Sequence, residues 1–182
     1  AYDKAIELNH RNINAWIGKG IAFFRLGKNE EALKVYKKVI HLNPNEVRAY
    51  IDLGGFFVYI GDLKDASKNI AIELHKDKRN IYAWYLQGVI DIENKKYKSA
   101  SKYFKRAIHL DNKGNSRLLL WEAYANFLEL EFSSKLDTQP KKYQEGVSSI
   151  IRKLEKANNL SENDKKEEKA YILYFLAAFY IK

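Results

Sequence analysis

Apolar side chains along the first hundred or so residues recur every three to four positions, in blocks separated by short polar breaks. That spacing lines one face of a helix and does not fit the two-residue alternation of a strand. It predicts helices over 12–26, 29–42, 46–60, 63–76, 79–94 and 97–110. Gly27 and Gly61 stand where the first helix of a pair must stop, and glycine takes the left-handed capping conformation at little cost. Asn43-Pro44-Asn45 ends the second helix of the first pair, because proline cannot continue it.

The blocks are copies of one another. Trp16, Tyr50 and Trp84 are 34 residues apart, and Gly20, Gly54 and Gly88 follow at the same interval. So do Ala32, Ala66 and Ala100, and then Tyr36, Ile70 and Phe104. Three units result, 13–46, 47–80 and 81–114. The aromatic residue and the glycine are four apart, hence on one helical face. The alanine and the larger residue four positions later form the facing stripe of the second helix. Small against large is how two antiparallel helices interdigitate.

These residues resemble the tetratricopeptide repeat family. Its pattern of Trp, Leu-Gly, an aromatic, Ala, an aromatic and Pro is met by Trp16, Gly20, Phe23, Ala32, Tyr36 and Pro44. The second unit meets it with Tyr50, Leu53-Gly54, Phe57 and Ala66, and the third with Trp84, Gly88, Ala100 and Phe104. The resemblance implies an all-α fold, a right-handed superhelical solenoid of antiparallel helix pairs. Lys19 and Gln87 replace the usual leucine, and Lys78 and Asn112 the proline. Asp91 replaces an aromatic and Glu73 a small or apolar residue. These two carboxylates are expected at a solvated helix edge, since unpaired buried carboxylates are costly; a buried polar seam between the second and third units is the alternative.

Residues 1–11 read as the second helix of a truncated repeat, with Tyr2, Ala5, Ile6 and Asn9 mirroring Tyr36, Val39, Ile40 and Asn43. The chain therefore reads as a segment cut from a longer protein. Beyond Gly114 the rhythm loosens into a divergent fourth repeat, 115–157. Its first helix, 115–133, carries a stripe of Leu118, Trp121, Ala125, Leu128 and Phe132. A long polar connection, 133–140, precedes a returning helix with Val147, Ile150, Ile151 and Leu154, and 158–169 reads as a loop. Residues 165–182 read as the first helix of a fifth repeat, apolar all round, which must be covered by further repeats or by a second copy in a homodimer. All of this is expected to form one continuous solenoid domain.

Composition adds boundaries. No stretch reaches the roughly 20 apolar residues a membrane-spanning helix needs. With no cysteine, disulfides and cysteine metal sites are excluded, and a cytoplasmic setting fits. The net charge of +9 is compatible with an acidic partner, or with a Lys-, Asn-, Ile- and Tyr-rich composition carried on solvated faces. Lys34, Lys68 and Lys102 repeat with the period, joined by Lys37, Lys38, Lys105 and Arg106 on second helices, the convex side.

Chemistry is sparse. His41, His75 and His109 share one column, but neighbouring helices lie about 8–10 Å apart and ligands of one zinc each sit about 2 Å from it, so the three cannot share a metal. No nucleophile elbow, phosphate loop or paired-histidine motif is present. The chain reads as no enzyme, with no cofactor and no metal. The resemblance implies instead a concave groove lined by first helices. Mapped here, its residues are Asn14, Ile17, Ile21, Phe24, Arg25, Arg48, Ile51, Asp52, Gly55, Val58, Tyr59, Tyr82, Tyr85, Leu86, Val89, Ile92 and Glu93. Such an apolar, aromatic surface suits a peptide or helix of a protein partner. Some family members grip an acidic carboxyl terminus with Lys, Asn and Arg. The matching positions here are Ile17, Ile21, Asp52, Tyr82 and Leu86, so that clamp is missing. The expected function is a non-catalytic protein–protein interaction scaffold. The alternatives are a basic helical-repeat module for nucleic acid, which the apolar groove disfavours, and a docking or regulatory segment of a larger enzyme.

Overall fold

Some helices start where an Asn or Asp side chain satisfies an orphan backbone N–H, and others start without a side-chain cap. In the computed structural model, which describes residues 1–112, 114–134 and 140–160, the described residues form nine α-helices and no strand. In order they are α1 (Tyr2–Leu8), α2 (Ile13–Arg25), α3 (Asn29–Leu42), α4 (Val47–Tyr59), α5 (Leu63–Lys76), α6 (Ile81–Glu93), α7 (Tyr97–Leu110), α8 (Ser116–Ser134) and α9 (Pro140–Leu160). The six expected from periodicity in the three repeats match α2 to α7 within two residues at either end. The chain divides into two compact units, Ala1–Leu86 and Gln87–Lys182.

In the first unit the interval of 34 residues governs capping as well as packing. Asn12 and Asn80 cap α2 and α6 by accepting the Ala15 and Ala83 N–H groups. Asn9, Asn43 and Asp77 each accept the backbone N–H two residues on, an Asx turn that closes the break between repeats. Trp16 and Trp84 donate their indole N–H to the carbonyls of His10 and Lys78, both at 2.9 Å, and Tyr50 donates its hydroxyl to that of Pro44 at 3.2 Å. The aromatic column therefore needs a donor, which phenylalanine lacks. Gly27 and Gly61 end the first helices at φ of 71° and 80°.

The small-against-large columns interlock. A Cβ on Gly20 would sit 2.8 Å from the Tyr36 ring, and one on Gly54 2.8 Å from Ile70. Ala32, Ala66 and Ile70 are wholly buried, and Tyr36 nearly so. At the start of the chain, Lys19 of α2 pairs with Asp3 of α1 and lies over the rings of Trp16 and Phe23, which accounts for a lysine at a leucine position.

In the second unit Gly88 meets Phe104 in the same way, at 2.6 Å. Here α8 is covered on two sides. Trp121 stacks on Phe104 of α7 and Phe132 meets Tyr97, while Leu119 and Ala123 pack with Ile150, Leu154 and Ala157 of α9. Glu122 of α8, 5% exposed, is paired at 2.8 Å with Lys153 of α9. Helix α8 is thus bound to α7 by aromatic stacking and to α9 by an apolar seam around one ion pair.

Three expectations need correction. Glu73 is fully buried, not at a solvated edge, because Asn80, the residue that caps α6, donates its side-chain amide to the Glu73 carboxylate. Asp91 is also buried, at 6% exposure. Asn158 to Leu160 belong to α9 and not to a loop, since the helix carries one further turn past Ala157, itself wholly buried. The fifth-repeat helix over 165–182, with the homodimer built on it, lies outside the described residues.

Candidate functional site

The inner positions of α2, α4 and the start of α6, all in the first unit, separate into core and surface. Ile17, Ile51 and Leu86 are buried. Ile17 packs with Val39 and Ala49 between α2, α3 and α4, so it holds helices together and lines nothing. Ile51 and Leu86 leave the candidate lining for the same reason. What stays at the surface is a belt: Ile21, Phe24, Asp52, Gly55, Val58 and Tyr85 half-buried, and Arg25, Arg48, Tyr59 and Tyr82 exposed. Val89, half-buried, and Glu93, exposed, belong to the second unit.

The belt is aromatic at one end. Phe24 of α2 meets Tyr59 of α4 edge-on at 4.9 Å between centroids, and Phe56 lies behind them at 5.9 Å from Phe24. Tyr59 nevertheless keeps 70% of its surface open. Tyr82 and Tyr85 stack at 5.8 Å. At Gly55 a Cβ would lie 3.4 Å from the Tyr82 hydroxyl and 3.7 Å from Leu86, so the absent side chain lets Tyr82 of α6 come against the backbone of α4.

One carboxylate stands among these rings. Asp52 has a side chain 22% exposed, and its Oδ2 is screened from solvent without a hydrogen-bond partner. Arg48, one turn earlier, brings Nε to 3.9 Å, an ion-pair distance beyond hydrogen-bonding range. Burial pushes the Asp52 carboxyl above its ordinary value, against the pull of Arg48 and with the help of the Glu46 charge. Its charge is felt across the belt. The Tyr82 phenol is raised by burial and then by Asp52, and the Tyr36 phenol is pushed up to about 12 by burial, Asp52 and Tyr82. Sequence reasoning placed Asp52 on this face but not its unsatisfied oxygen. The signal available was a carboxylate with Arg48 one turn before it and only Gly55, Phe56 and Tyr59 one and two turns after it.

Elsewhere the surface is plainer. His41, His75 and His109 are each exposed near a helix end, and no group that could hold a metal occurs among the described residues. Lys34, Lys37, Lys38, Lys68, Lys102, Lys105 and Arg106 are all exposed. No helix among the described residues is long and apolar enough to cross a membrane.

Residues 13–46 and 81–113 each match the tetratricopeptide repeat family. The chain therefore carries tetratricopeptide repeats, two of them being α2–α3 and α6–α7. Comparison with curated protein sequences gives no match. Among solved structures, the chain is similar to PilF of Pseudomonas aeruginosa at 18% identity and a TM-score of 0.66, covering 99% of this chain and 82% of that one. It is similar to MamA of Desulfovibrio magneticus at 18% identity and 0.65, covering 83% and 80%. YrrB, described as a tetratricopeptide-repeat protein with an unusual peptide-binding site, matches at 18% identity and 0.65 over 98% of this chain and 92% of its own. At these identities the likeness is one of fold.

Proposed function

We propose that this chain is a non-catalytic protein–protein interaction scaffold, and that the inner face of α2, α4 and the start of α6 holds a peptide segment of a partner. The observation that carries the proposal is the belt itself. Tyr59 and Tyr82 are 70% and 51% exposed beside half-buried Phe24, Ile21 and Val58, on helices whose opposite faces are fully engaged. Exposed aromatic anchors beside apolar walls are the usual composition of an energetic centre in a protein interface. The peptide-binding site described for YrrB supports the same reading.

A displayed peptide library selected on the purified chain tests it. Peptides recovered on the wild type should lose at least about tenfold in affinity on Gly55→Phe, which displaces the Tyr82 ring, and on Tyr85→Ala, which removes its stacking partner. Helicity and unfolding midpoint should stay unchanged. Selected peptides that bind both variants as tightly as the wild type would place the binding surface elsewhere.

A further inference from the structure

Where carboxylate-gripping tetratricopeptide repeats place Lys, Asn and Arg, this chain has Ile17, Ile21, Asp52, Tyr82 and Leu86, none of them a cation. Asp52 leaves one oxygen shielded from water with no donor, and the nearby guanidinium of Arg48, itself 58% exposed, stops at 3.9 Å. A carboxylate in this condition has surrendered hydration without regaining it from the protein. Any occupant that brings a cation to its exposed portion recovers that loss in a low-dielectric setting, and an anionic occupant adds to it. Arg48 does not already fill this role, since a single long contact from a side chain more than half in solvent contributes little.

We infer, on the basis of the groove reading above, that the occupant is a peptide segment that presents a lysine or arginine to Asp52 with a bulky apolar residue on the Tyr59 side. Tyr59 lies seven residues beyond Asp52 on α4, about 10 Å along the axis at roughly 1.5 Å per residue. An extended peptide covers that distance in about three residues. The recognised pattern is therefore a basic and an apolar residue three positions apart, in either chain direction.

The probes are capped, fluorescein-labelled peptide pools of the form Leu-x-x-Lys-x-x-Leu, with matched pools carrying norleucine or glutamate at the centre; x is a mixture of Ala, Ser and Gln. Anisotropy titration on the full chain should show the lysine pool binding about tenfold tighter than the norleucine pool, the glutamate pool weakest. The preference should vanish in Asp52→Asn while norleucine binding persists, and Arg48→Gln, which removes the cation nearest Asp52, should enlarge it. Equal binding of the lysine and norleucine pools, both weakened by Gly55→Phe, would overturn the charge assignment and leave the groove standing. Binding of the norleucine pool untouched by Gly55→Phe would remove the groove as well. Preference for glutamate, or a lysine preference that survives in Asp52→Asn, would also overturn the inference.

Discussion

Replacing Gly88 by alanine should destabilise the protein, although in an isolated helix the same change stabilises. Alanine is the better helix former by about 1 kcal/mol. Against this, the new methyl group would lie 2.6, 2.7 and 3.0 Å from three atoms of the Phe104 ring. That ring has nowhere to go: it is 0% exposed and stacked on Trp121 at 5.9 Å. Overpacking of this kind costs about 1–3 kcal/mol, so the net loss is about 1 kcal/mol. Gly18 provides the matched control. A methyl group there meets only Tyr2, which is 46% exposed and can swing aside, so Gly18→Ala should be neutral or stabilising. Urea unfolding followed by far-UV circular dichroism reads both as shifts of midpoint at constant slope. Trimming the ring in the Gly88→Ala/Phe104→Leu double variant should cost less than the two single changes summed, by about 1 kcal/mol. A Gly88→Ala protein more stable than wild type, with strictly additive energies in the cycle, would refute the interlocking of these columns.

Three further outcomes follow from the same structure. Lys95 occupies the column of Gly27 and Gly61 with φ of 59°, so Lys95→Gly should stabilise by about 1 kcal/mol, the left-handed strain removed less the entropy of glycine, seen as a raised urea midpoint. Lys153→Ala strands Glu122 at 5% exposure and should cost about 2 kcal/mol, below the value for a fully buried pair because Lys153 keeps 26% of its surface; Lys153→Met with Glu122→Leu should recover most of it in the same assay. Burial raises the Glu73 carboxyl against the opposing hydrogen bond from Asn80, so the folded state holds its proton to higher pH than the unfolded state does. Stability is then greatest below the ordinary glutamate range and falls as pH rises through the raised value; Glu73→Gln should flatten that fall and raise the midpoint at neutral pH by about 1 kcal/mol.

The fold was legible because its information is periodic. Four columns at one interval locate α2 to α7, and each column proves to be a contact: Gly20 on Tyr36, Gly54 on Ile70, Gly88 on Phe104. The hydrogen bonds were legible only in hindsight. Asn9, Asn43 and Asp77 also share a column, but hydrogen-bonding capacity leaves no hydrophobic signature. Glu73 and Asp91 are misjudged from sequence because composition alone cannot see a partner such as Asn80, seven residues from Glu73 across the break between α5 and α6. The site was half legible. Residue type and helix face put Asp52, Tyr59 and Tyr82 on the inner surface, yet Ile17 and Ile51 sit on the same helices and are core. Telling wall from core needs the tilt of one helix against the next, which spacing does not encode.

The central functional claim is that the open face of α2 and α4 receives a peptide. Amide NMR of the uniformly labelled chain, titrated with the Leu-x-x-Lys-x-x-Leu pool, tests it most directly. Shifts should concentrate on Ile21, Phe24, Asp52, Gly55 and Tyr59, with Lys34, Lys37 and Lys68 unmoved. Shifts confined to those lysines, with the inner residues silent, would contradict it.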